Sequence, residues 1–264
     1  MSLQFIDTHC HLADARLHSQ FQAVLDRATA AGVVAFVCAS ADIEEARRAA
    51  ELAQRFSGVF FAAGLHPHEA ASAASDPLFL KALETLAGDG RCVAIGECGL
   101  DYHYDLSPRP DQRRVLAEQL DLARRMGKKV IIHTREALPD TLAILRHCGL
   151  EGNRVVFHSF TEGPQEVSAV LDTGAMIGLS GIVTFAKSDA LRQAAAAIPA
   201  DRILIETDSP YLSPEPVRKN KINEPANVPY VAACLAGVRN IPLETLAEQT
   251  TANARRFFGL PAAD

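Results

Sequence analysis

No apolar run in the sequence comes near the roughly 20 residues that span a bilayer, so no membrane-spanning helix is expected. No basic stretch precedes an apolar segment in Met1-Ser2-Leu3-Gln4-Phe5, and no secretory signal is read there. Cys10, Cys38, Cys92, Cys98, Cys148 and Cys234 lack any paired spacing. They read as small buried hydrophobes in a reducing compartment, not as a disulfide framework, and the expected location is cytoplasmic. A net charge of −6 leaves no basic field over the whole surface. A polyanionic substrate would have to be held locally, by metal ions and a few Lys or Arg side chains. No Gly-x-Gly-x-x-Gly follows the first expected strand, which counts against dinucleotide binding.

What is present is alternation. The 264 residues are 48% hydrophobic and 22% charged, enough for a large core. β-rich runs at 5–11, 33–40, 59–65, 93–98, 129–133, 155–159, 175–180 and 203–207 are separated by helical stretches. Asp14 is placed to cap a helix running to about residue 31. Asp42 with Glu45 has the spacing of a capping box, and Asp76-Pro77 is placed to open a further helix. Strand-then-helix units in this number predict an α/β fold, a (β/α)8 TIM barrel forming one domain over residues 1–264. An open doubly wound sheet would share the alternation. A long loop, 211–227, follows the last strand.

The chemistry-bearing residues gather at predicted strand ends, where barrels of this class carry their active sites. His9 and His11 are two apart on a strand and share a face. His66 ends the third strand, Glu97 the fourth, His133 the fifth and His158 the sixth. Asp208 follows the eighth, with Glu206 two residues before it. His9, His11, Glu97, His133, His158 and Asp208 are too many donors for one tetrahedral ion with an open position. They suit two divalent ions, with Glu97 as the bridge and Asp208 orienting or deprotonating the attacking water. His66 reads as a substrate contact or as a structural strand-end histidine. Glu206 reads as a residue behind the ligands or a weak extra ligand, and equally as a salt-bridged barrel carboxylate, and Asp7 as an orienting partner or part of the barrel floor. His18, His68, His103 and His147 read as surface or loop residues. Arg218, Lys219 and Lys221 could meet phosphate or form a solvated charged loop.

These segments resemble the TatD family of metal-dependent hydrolases, within the amidohydrolase-like barrels. The likeness rests on Asp7-Thr8-His9-Cys10-His11, Gly64-Leu65-His66-Pro67, Gly96-Glu97-Cys98-Gly99-Leu100-Asp101-Tyr102 and Ile131-Ile132-His133-Thr134-Arg135. It continues in Val156-Phe157-His158-Ser159-Phe160, Glu206-Thr207-Asp208-Ser209-Pro210-Tyr211-Leu212 and Asn223-Glu224-Pro225-Ala226. The resemblance implies a TIM barrel, two divalent metal ions and deoxyribonuclease activity, often 3′→5′ exonucleolytic, with DNA as substrate. It also implies ligand roles for the six residues named above. Zn, Mg, Mn, Ni or Co would suit such mixed ligands. His66, Arg135 and Asn223 are the expected substrate contacts. No membrane and no obligate protein partner are expected.

The sequence departs from the family pattern at Ser159, where Cys is usual, at Glu162, where Gly is usual, and at Ile222, where Arg usually precedes Asn-Glu-Pro. The last change removes a possible bidentate phosphate donor. The alternative reading is a barrel hydrolase of a small amide, ester or lactone. Many such barrels carry a carboxylated Lys at the fourth strand, where this chain has Glu97. A catalytically silent metal-binding scaffold is a third reading, which the complete ligand set argues against.

Overall fold

The structure, a computed structural model, describes residues 3–262. Eight parallel strands lie in sequence order: β1 Phe5–Cys10, β2 Val33–Cys38, β3 Val59–Ala63, β4 Cys92–Asp101, β5 Lys129–Arg135, β6 Val155–Phe157, β7 Met176–Leu179 and β8 Ile203–Ile205. The seam between β8 and β1 carries backbone bonds from Asp208 N to His9 O (2.9 Å) and from His11 N to Ser209 O (2.7 Å). Thr8 Oγ1 adds a bond to Ile205 O at 2.9 Å. The sheet thus returns on itself as a (β/α)8 barrel.

Helices cover the outside: α1 Ala15–His18, α2 Phe21–Ala30, α3 Ile43–Arg55, α4 Ala70–Ser75, α5 Phe79–Ala87, α6 Arg109–Met126, α7 Leu138–His147, α8 Pro164–Leu171, α9 Asp189–Ala197, α10 Val228–Arg239 and α11 Leu243–Phe258. Two expected helices differ. Asp14 caps as expected, its side chain accepting from Arg16 N, but the helix breaks at Ser19-Gln20 into α1 and α2. Asp76 closes α4 instead of opening a helix, and its carboxylate accepts from Leu78 N in the turn before α5. No helix among the described residues is long and apolar enough to cross a membrane.

The barrel has an apolar floor. Ile6, Ala35, Val37, Phe60, Ala62, Ala94, Ile131, Val156, Met176 and Leu204 pack together inside it, and Phe257, Phe258 and Leu260 of the C-terminal segment close it from below. The alternate strand residues, such as Phe36, Phe61, Ile132 and Phe157, face the helices in a larger core. This two-sided burial is why the strands read as near-continuous apolar runs.

In β5, β6 and β8 the inward stripe continues toward the mouth with period two: Ile131 to His133, Val156 to His158, Leu204 to Glu206. β1 and β4 behave otherwise. Pairing with β2 slips between Asp7 and Cys10, and the β4–β5 pairing slips between Ile95 and Cys98. Below each break Ile6 and Ala94 face inward. Above it Cys10 and Cys98 pack outward, while His9, His11 and Glu97 face the lumen.

Candidate metal centre

His9, Glu97 and His133 lie within their strands, whereas His11, His66, His158 and Asp208 sit in the first residues beyond them. β3, β6 and β8 end earlier than the sequence suggests, at Ala63, Phe157 and Ile205. Asp208 has φ 55°, a left-handed conformation Asp tolerates better than most residues. Its backbone N–H is nevertheless held by His9 O. Gly96, at φ 147°, precedes Glu97, and a Cβ there would lie 2.7 Å from Ile131 O. The chain can only pass so close to β5 with no side chain at that position.

Glu97 is buried at the centre, and its two oxygens face different neighbours. Oε2 lies 3.3 Å from His9 Nε2 and 3.5 Å from His11 Nε2. Those two nitrogens are 3.2 Å apart, and Asp208 Oδ1 stands 3.7 and 3.8 Å from them. A tetrahedral ion with bonds of about 2.1 Å spaces its ligand atoms about 3.4 Å apart, so this donor set fits a divalent cation. Glu97 Oε1 faces the other way, 2.7 Å from His158 Nε2, 3.0 Å from His133 Nδ1 and 3.5 Å from His66 Nε2.

Carboxylates stand behind three of these rings. Glu45 Oε1 is 3.2 Å from His11 Nδ1 and Asp101 Oδ2 is 3.3 Å from His133 Nε2, while Glu206 Oε1 lies 3.3 Å from His158 Nδ1, close enough for charge pairing but out of hydrogen-bond geometry. A carboxylate on the far nitrogen is the usual way a metal-binding imidazole is oriented. His9 has no such partner; its Nδ1 is buried without a hydrogen bond, and its ring stacks on His158 at 3.8 Å. Glu206 fits beside His158 because residue 178 is glycine, where a Cβ would meet Glu206 Oε2 at 2.5 Å. Among the described residues, Asp7 makes no hydrogen bond to an imidazole. Its carboxylate accepts from Thr207 N and Thr207 Oγ1, tying β8 to β1 where the pairing slips.

Charge is arranged to match. Burial alone would raise the Glu97 carboxyl, but the surrounding histidines, His158 and His66 foremost, hold it well below the ordinary range. Burial pushes Asp208 upward and both His9 and His66 downward. His66 Nδ1 accepts from His68 N at 3.2 Å, which leaves the ring hydrogen of a neutral imidazole on Nε2. His66 therefore points a donor, not a lone pair, at the centre.

Not every expected residue arrives. Asn223 is fully buried, its Nδ2 donating to Thr207 O and its Oδ1 accepting from Glu224 N and Asn227 Nδ2. Its amide is spent on β8 and the following loop, where it clamps the backbone. Arg135 lies on the exposed rim with its guanidinium 4.7 Å from the Tyr104 ring centre. Arg218 stacks on Phe185 at 3.4 Å, with Lys219 and Lys221 exposed near it in sequence. His68, read as a loop residue, is instead bound to the centre: its Nε2 is 3.0 Å from Asp101 Oδ2, the oxygen that also faces His133. Glu45 and Asp101 were not foreseen. Asp101 lies inside a quoted motif, but Glu45 carries no local signal beyond that of a helix start.

The model of the family described as TatD related DNase matches residues 6–259. The chain belongs to the TatD family. This TatD-family protein is 38% identical over 261 residues to Uncharacterized metal-dependent hydrolase YcfH of Escherichia coli K12, covering 98% of this chain and 97% of that one. It is 36% identical over 258 residues to 3'-5' ssDNA/RNA exonuclease TatD of Klebsiella pneumoniae strain 342, covering 96% and 97%. The crystal structure of YjjV, a TatD homologue from Escherichia coli K12, superposes with a TM-score of 0.92 at 29% identity, covering 99% of this chain and all of the other. The protein is thus a TatD-family metal-dependent hydrolase, with His, Glu and Asp groups suited to hold metal at the mouth of its barrel.

Proposed function

We propose that the protein is a DNase that hydrolyses phosphodiester bonds from the 3′ end, at a pair of divalent ions bridged by Glu97. The observation that carries this reading is the split of Glu97, with Oε2 toward His9, His11 and Asp208 and Oε1 toward His133 and His158. The name of the Klebsiella relative supports nucleic acid as the substrate class. Bound ions would supply Lewis acidity for the phosphate and a water acidic enough to ionise near neutral pH.

The chain's own residues supply the rest. His9, His11, Glu97, His133, His158 and Asp208 hold the ions. Asp208, between the metal side and the open mouth, orients the attacking water and accepts its proton. His66 Nε2–H donates to a phosphate oxygen, and Arg135 on the rim takes a second phosphate. A protein of net charge −6 offers few other phosphate contacts, which suits an enzyme gripping one chain end instead of a long track. Six unpaired cysteines agree with work in a reducing compartment such as the cytoplasm.

Linear and circular single-stranded DNA, compared in matched metal and salt, test the reading. Only the linear form should be degraded, from its 3′ end, and Arg135→Ala should reduce the salt slope of binding by about one. Equal cleavage of the circle would reject the exonuclease. Cleavage of neither, with turnover of a small ester, would reject the nuclease.

A further inference from the structure

Glu45 lies outside every motif that carries the family resemblance, and its neighbours in sequence give it an ordinary task. It stands three residues after Asp42, where a capping-box glutamate turns back on the start of α3. Half of that box exists: Glu45 N donates to Asp42 Oδ1 at 2.7 Å. The returning half does not close on Asp42. Glu45 Oε2 accepts instead from Ala41 N at 2.7 Å, and Oε1 lies 3.2 Å from His11 Nδ1. The other end of residue 41 is also engaged, its carbonyl accepting from His66 N at 2.9 Å. One buried carboxylate thereby joins the start of α3 to a side chain after β1 and, through residue 41, to the backbone after β3.

A cap alone gives no reason to bury a charge, since a glutamine would serve the Ala41 amide equally well. The charge is explained by His11. A carboxylate on Nδ1 keeps the hydrogen on that nitrogen and leaves the Nε2 lone pair for the side shared with His9 and Asp208. We infer that Glu45 is a positioning residue that fixes the tautomer and orientation of His11 and so sets the affinity of the ion held on the His9–His11 side. The inference rests on the proposed two-ion centre.

Titration of the full-length apoprotein with Co2+, followed by visible absorption, separates the roles. In Glu45→Gln one of two Co2+ equivalents should bind about 10–100-fold more weakly, the other staying within about twofold. The 15N shifts of His11 should move toward mixed tautomers. Asp42→Ala removes the cap and leaves the carboxylate; it should lower the melting temperature without weakening either ion. Glu45→Asp, which keeps the charge at shorter reach, should fall between wild type and Glu45→Gln and serves if the glutamine variant folds poorly. Unchanged Co2+ affinities in Glu45→Gln, or equal weakening in Asp42→Ala, would overturn the assignment of Glu45. Failure of the wild type to bind Co2+ at all would instead remove the metal centre, and the inference with it.

Discussion

β1 and β4 reach the site differently from β5, β6 and β8. In β5 and β6 the functional residue continues the inward stripe of the floor, so the pleat that buries Ile131 or Val156 also aims His133 or His158, and in β8 the stripe runs from Leu204 to Glu206 before Asp208 turns through a left-handed backbone. In β1 and β4 the pairing slips, and residues of the opposite parity are brought in. Their direction comes from local devices: Gly96 passing close to β5, and Asp7 gathering the Thr207 N–H and hydroxyl. Breaks of this kind re-aim side chains beside active sites. The central carboxylate, the histidine pair and Asp208 thus depend on a few backbone details, whereas His133 and His158 inherit their aim from the sheet.

The largest effect should come from Glu97→Ala. It removes the group shared by both sides and should cost on the order of 10³-fold or more in kcat/KM, with loss of bound metal in elemental analysis. Two glycines sharpen the contrast. Gly96→Ala places a methyl 2.7 Å from backbone oxygen at a positive φ and should displace Glu97, costing about 10²-fold in activity and weakening both ions. Gly178→Ala crowds chiefly the Glu206 carboxylate at 2.5 Å, with the His158 backbone next at 3.3 Å, and should cost about tenfold. Equal losses at the two positions would break the distinction between interrupted and regular strands. The smallest effect on the site should follow Phe257→Ala under the floor. Thermal or denaturant unfolding should show about 3–5 kcal/mol of lost stability, with metal content of the folded protein unchanged.

This contrast also explains what could be read from the sequence. The barrel was legible because every strand is buried on both faces and every helix follows its strand. The donors were legible because a ring of His and carboxylate at strand ends has few structural uses. His9 and His11 do share a face, as period two requires. Period two would put Ile6 on the opposite face from His9 and His11; that all three face the lumen depends on the slip in the β1–β2 pairing. Glu45 was hidden for a related reason: its spacing from Asp42 satisfies a local rule, and its real partner lies 34 residues away. Asn223 shows the reverse case. It belongs to a quoted motif, yet its amide is consumed by the backbone of β8 and the loop beyond.

The central claim is that Glu97 stands between two ions. Anomalous diffraction from crystals grown with Mn2+ tests it most directly. Two peaks are expected, one beside Glu97 Oε2 among His9, His11 and Asp208, the other beside Oε1 toward His133 and His158. A single peak, or peaks away from Glu97, in crystals of a protein shown to be active with Mn2+ would contradict it.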